Sequence, residues 1–71
     1  MNARPYVTTE EVLRAVAEGF AASGNRRPSH CDVRCAVNDH REALRRDGYR
    51  MAEHYSQDRA HRRVRRIIGE L

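Results

Sequence analysis

This chain contains no lysine and no tryptophan, and it has only two cysteines and two prolines; aromatic residues make up 6% of it. Each shortage excludes something. Two cysteines separated by three residues do not make the disulfide framework of a small secreted domain, so a reducing cytoplasm is the expected compartment. No apolar run approaches the length of a membrane span, and the opening MNARPYVTTEE lacks the apolar core of a signal peptide. There is no Gly-rich phosphate loop, no Ser nucleophile elbow and no local pairing of a base with an orienting partner. A domain of 71 residues also seldom encloses a substrate pocket. The expectation is a protein that is not an enzyme and carries no cofactor.

What is present in abundance is positive charge. All fourteen basic residues are arginine, set against ten acidic ones, for a net charge of +4. That balance favours an acidic partner, nucleic acid ahead of an anionic membrane or an acidic protein surface. Arginine presents a planar fork that grips phosphate and guanine edges bidentately, where lysine is a point charge. An arginine-only basic set also follows from a GC-rich genome, so the absence of lysine decides little alone. Hydrophobic residues are 39% and charged residues 34% of the chain, polar for a folded domain, yet the apolar positions are periodic. A chain of this length buries only about 60% of its unfolded surface, so the core is thin and a homodimer is expected.

Three helices are expected, over roughly 9–23, 30–46 and 57–69. Thr8 and Glu11 form a capping-box pattern, Val12, Leu13, Val16 and Phe20 an apolar stripe, and Gly24 with Asn25 a stop. Pro28 keeps Arg27 out of the helical region, and Ser29 is the next N-cap, with Asp32 three residues on. Val33, Ala36, Val37, His40, Ala43 and Leu44 are the apolar side of the second helix, which ends at Gly48. A break at Asn38 is the alternative, and it would give the two helices of a helix-turn-helix. GYRMAEHY, residues 48–55, alternates as a short strand or extended connector would, with Tyr49 and Met51 closing one end of the core. Ser56 caps a third helix in which Ala60, Val64, Ile67, Ile68 and Leu71 form the stripe. The fold class is all-α, a small helix-turn-helix-like domain with a short extended segment or rudimentary wing near 49–55.

At about 100° per residue, Arg34, Asn38, Arg41 and Arg45 fall in one line along the second helix, beside the apolar sector. Arg and Asn are the side chains that bond bidentately to guanine and adenine in the major groove, where a helix fits. Arg26 and Arg27 before this helix, and Arg46 and Arg50 after it, would contact flanking phosphates. On the third helix Arg59, Arg62, Arg63 and Arg66, with Arg65, would grip the backbone. The competing account is a plain solvated face, with arginines paired to Asp32, Asp39, Glu42 and Asp47 along the helix.

Cys31 and Cys35 lie one turn apart, opposite the Val33 and Val37 stripe. Free cysteine usually behaves as a small buried hydrophobe, so this outer face is expected to be covered, by the third helix, a second copy or a ligand. Histidines at 30, 40, 54 and 61 supply nitrogen donors, but His54 and His61 are spaced too widely for a zinc-finger pair, so no metal is expected. The stretch RPSHCDVRCAVNDHREALRRDGYRM resembles winged-helix repressors in its Pro-Ser entry, its Val-Arg-x-Ala-Val helix and its terminal Asp-Gly-Tyr. Its internal spacing departs from theirs and the second wing strand is missing, so no family is assigned on it.

The function expected from these residues is that of a small basic DNA-binding protein, a transcriptional regulator reading bases with the second helix and holding phosphates with the third. A protein-binding module or inhibitor that docks an Arg-rich surface on an acidic protein is the alternative, and RNA binding comes third.

Overall fold

The computed structural model describes residues 5–71, and in them three α-helices: α1 (Thr9–Ala22), α2 (His30–Arg46) and α3 (Gln57–Glu70). The bounds expected from caps and periodicity agree with these to within one residue, and the domain is all-α. Helix α2 runs unbroken through Asn38, so the alternative split does not occur. Among the described residues no helix is long and apolar enough to cross a membrane.

Each helix begins where the sequence supplies a side-chain acceptor. The Glu11 N–H donates to Thr8 Oγ1 at 3.1 Å while the Thr8 N–H donates to Glu11 Oε1 at 3.0 Å. Ser29 and Asp32 repeat the exchange at the head of α2, both bonds at 3.1 Å. Ser56 Oγ accepts from the Arg59 N–H at 3.3 Å. These bonds satisfy donors that a helix start otherwise leaves open. Helices α1 and α2 end on glycines with positive φ, +86° at Gly24 and +92° at Gly48, a conformation that strains any residue with a Cβ. The next N–H groups then reach back, Asn25 to the Phe20 carbonyl at 2.9 Å and Tyr49 to the Leu44 carbonyl at 3.0 Å.

The core is aliphatic and small. Val12, Leu13, Val16 and Ala17 of α1 meet Val33 and Val37 of α2 and Ala60, Val64, Ile67 and Ile68 of α3. Each fully buried Val or Ile contributes about 1.5–3 kcal/mol by leaving water. Phe20 and Leu44 are half-buried at the rim, as is Tyr55, which packs against the core where Tyr49 was expected. Tyr49 is instead 37% exposed, and Met51 is half-buried.

Two buried residues are polar. The His61 ring stacks on His30 with centroids 3.7 Å apart, and its Nε2 lies 3.2 Å from the Pro28 carbonyl oxygen. A carbonyl only accepts, so Nε2 carries the hydrogen. Arg41, at 6% exposure, is the other, and it holds the connector between α2 and α3 in place. Its Nη2 donates to the Ala52 and Glu53 carbonyls, and its guanidinium lies 4.8 Å from the centroid of the Tyr55 ring. On the far side the connector meets the start of the chain in a single parallel bridge. The Val7 N–H donates to the Arg50 carbonyl at 2.8 Å and the Arg50 N–H to the Pro5 carbonyl at 3.1 Å. The extended segment near 49–55 is thus a tethered connector, with no strand among the described residues.

Candidate nucleic-acid interface

The arginines expected to read bases do not act as one line. Arg41 is withdrawn from it: its guanidinium is buried, with donors committed to two backbone carbonyls. Asn38 stays exposed, but its Oδ1 accepts the Tyr55 hydroxyl at 2.7 Å, which ties it to the same connector. Arg34 and Arg45 remain exposed, with no carboxylate partner among the described residues. Of the pairings that would neutralise this helix, only Arg46 with Glu42 forms, at 3.1 Å.

The flanking residues divide in the same way. Arg26, expected on a phosphate, donates from Nη2 at 2.8 Å to the Ile68 carbonyl in the last turn of α3, which also accepts the Leu71 N–H at 3.1 Å. Arg27 is exposed. Arg50 is exposed too, with its backbone held in the bridge.

Helix α3 carries the larger uninterrupted basic face. Arg59, Arg62, Arg63 and Arg66 sit at i, i+3, i+4 and i+7, which puts all four within about 100° of the helix circumference and along about 10 Å of its length. They line one open groove of about 790 Å³, closed on one side by Thr9, Glu10 and Leu13 of α1 and at its end by His54 and Tyr55 of the connector. A smaller hollow of about 420 Å³ lies across the connector, with Asn38, Arg45 and Gln57 in its wall, and it shares His54 and Tyr55 with the first. Beside Arg45 this second hollow is also lined by Glu42 and Glu53.

Four arginines face one carboxylate in the groove, that of Glu10. Arg63 grips it with three hydrogen bonds, from Nε to both oxygens at 3.0 Å and from Nη2 to Oε2 at 2.6 Å, and Arg14 approaches to 3.9 Å. The Arg63 hydrogen bonds, with the charges of Arg63 and Arg14, hold the Glu10 carboxyl below its ordinary pKa, and the Arg63 pKa is raised in return. Arg62 and Arg66 have looser partners, Asp58 at 3.9 Å and Glu70 at 3.8 Å, all solvent-exposed. Exposed pairs of this kind are worth about 0.3–0.5 kcal/mol and yield readily to a phosphate.

No protein-family model, curated protein or solved structure matches this chain.

The face of α2 that was expected to be covered is bare among the described residues of the single chain, with Cys31 and Cys35 both free and exposed. His30 and His61 are engaged with each other and His40 is half-buried, so the histidines do not gather around these thiols. Among the described residues no three His, Cys, Asp or Glu side chains converge in a metal-binding group.

Sequence reasoning placed Arg41 on the surface, although Val37, Arg41 and Leu44 already share the i, i+4, i+7 spacing of an inward line. The same spacing signalled His61, which precedes Val64 by three residues and Ile68 by seven. Along the arginine-rich run of α3, spacing that sequence reasoning left unused separates Arg59, Arg62, Arg63 and Arg66 from Arg65.

Proposed function

We propose that this chain binds nucleic acid, duplex DNA in the first place, through the arginine face of α3 and the groove it borders. The observation that carries this reading is the set of Arg59, Arg62, Arg63 and Arg66 on one side of one helix, held closely only by Glu10 on Arg63, with Asp58 and Glu70 at 3.9 and 3.8 Å from Arg62 and Arg66. Four phosphates or fewer would be neutralised there, with counterions released to solvent as the driving term. Arg45, across the connector, would extend the contact, and it is the side chain of the expected reading line left to prefer one base over another. With Arg41 buried and Asn38 tied to Tyr55, sequence preference is weaker than a four-residue reading line would give. A regulatory role would thus rest mainly on occupancy of DNA. A cytoplasmic location goes with this reading, since two cysteines are too few for the disulfide framework of a small secreted domain.

The test is a binding titration of random duplex DNA at low salt, repeated as salt is raised. Binding that weakens steeply with salt, and less steeply when Arg59 and Arg66 are replaced by alanine, supports the reading; no binding at low salt overturns it.

One observation favours a second reading. Arg63 already holds a carboxylate bidentately in the groove, so an acidic protein segment would find the same donors. A stoichiometric protein complex that survives nuclease, formed by a chain that leaves DNA unbound at low salt, would select it. RNA enters the same titration as a separate arm.

A further inference from the structure

We propose that Cys31 and Cys35 are half of a four-thiolate site for a soft divalent metal ion of the zinc type, completed by the same two cysteines of a second copy of this chain. The two residues are one turn apart on one face of α2, and both thiols are free and exposed. Their Cβ atoms are therefore about 5–6 Å apart. Two ligands at i and i+4 on a helix can bind one ion, the arrangement that paired histidines of this spacing use for zinc. A metal–sulfur bond of about 2.3 Å lets both sulfurs reach a common ion from that separation. Thiolates select soft or borderline ions over magnesium or calcium.

One chain cannot finish the site. No third His, Cys, Asp or Glu of the described residues converges with this pair. A structural zinc site takes four ligands in a tetrahedron, and a two-fold related copy supplies the missing two with the same geometry. Each thiol releases its proton to solvent as its sulfur binds, leaving a centre with two net negative charges. Arg34 answers that charge: its Nη2 lies 3.7 Å from Cys31 Sγ, and it has no carboxylate partner among the described residues, so two copies bring two guanidinium groups to the centre. Hydrogen bonds of this sort to ligand atoms hold and tune a metal site. The α2 face tolerates a second copy electrostatically. Asp32, Asp39 and Glu42 offset Arg34, Arg45 and Arg46 on the exposed side of the helix, whereas the face of α3 would repel its own copy.

The experiment titrates the full chain, reduced with a phosphine and in excess over the metal, with Co²⁺ as the spectroscopic probe while solution mass is followed. The expected result is saturation at half an ion per chain, with the intense absorption of tetrahedral cobalt–thiolate, and a mass of two chains per bound ion that a chelator reverses to metal-free absorption. Cys31→Ser and Cys35→Ser should each abolish the absorption while leaving the helical circular dichroism unchanged. Arg34→Ala should weaken Co²⁺ binding by roughly ten- to a hundredfold. Saturation at one ion per chain, absence of the cobalt–thiolate absorption, or its persistence in either serine variant would overturn the proposal.

Discussion

Arg41 lies with its guanidinium 4.8 Å from the centre of the Tyr55 ring and donates to the Ala52 and Glu53 carbonyls of the connector. This contact makes Arg41 the fastener between α2 and the connector. Replacing it with alanine leaves those carbonyls without their donor and removes the cation–π contact, at about 2 kcal/mol. In a domain of this size that lowers the melting temperature by roughly 8–16 °C. Thermal melts of Arg41→Ala should show the drop. Arg41→Lys should recover little of it, since an ammonium cannot reach two carbonyls and stack together. A melting temperature unchanged in Arg41→Ala would return this arginine to the surface.

Two glycines, one at a positive φ and one inside a helix, should respond oppositely to alanine. Gly48 has φ +92°, so Gly48→Ala costs about 1–2 kcal/mol in backbone strain although nothing crowds the new methyl group. Gly19 sits inside α1 with open space around it, and Gly19→Ala should stabilise the fold by about 0.5–1 kcal/mol. Urea unfolding of the pair checks both signs at once.

The ion pair of Glu10 with Arg63 sets a pH dependence. Because the Glu10 carboxyl is held below its reference value of 4.5, chiefly by the Arg63 hydrogen bonds, its contribution to stability is complete above that value and is lost as pH falls through the lower folded-state pKa. Glu10→Gln should therefore lower stability at neutral pH and flatten the acid-side decline below about pH 4.5. If the groove binds phosphate, the same variant frees Arg63 and should steepen the salt dependence of DNA binding by about 0.9 in slope. An acid-side decline identical in both proteins would show that the Glu10 pair contributes nothing to it.

Ser29 starts α2, and its hydroxyl holds the Asp32 N–H at 3.1 Å. Ser29→Ala should cost about 1 kcal/mol, measurable by urea unfolding, while Ser29→Thr or Ser29→Asp should keep most of the stability. Equal stability of the alanine and threonine variants would show that the cap contributes little.

The elements themselves were legible because their signals are local. A hydroxyl three residues before an acidic side chain starts α1 and α2, a glycine ends each of them, and apolar residues recur at 3.6-residue spacing between. The site was less legible because it depends on what the connector needs. Spacing with Val37 and Leu44 turns Arg41 inward, but periodicity carries no information about its acceptors at Ala52 and Glu53, eleven and twelve residues away, or about the Tyr55 hydroxyl that ties Asn38. Arg26 is a similar case, since its partner at Ile68 lies 42 residues on. The cysteine face is a different case, since α3 does not cover it and what else would cover it lies outside the single chain. The habit of cysteine to be buried is a tendency of composition, and here the core closes without either thiol.

The central claim is that the exposed arginines of α3 hold phosphates while Arg41 holds the fold, and the salt dependence of DNA binding tests it most directly. The slope of log affinity against log salt should be measured for the native chain, for the Arg59→Ala, Arg62→Ala, Arg66→Ala triple variant, and for Arg41→Lys at a temperature where it is folded. The expected slope is shallower by about 0.9 for each phosphate that α3 no longer neutralises, and in Arg41→Lys it equals that of the native chain. An unchanged slope in the triple variant, or no DNA binding by the native chain at low salt, would contradict the claim.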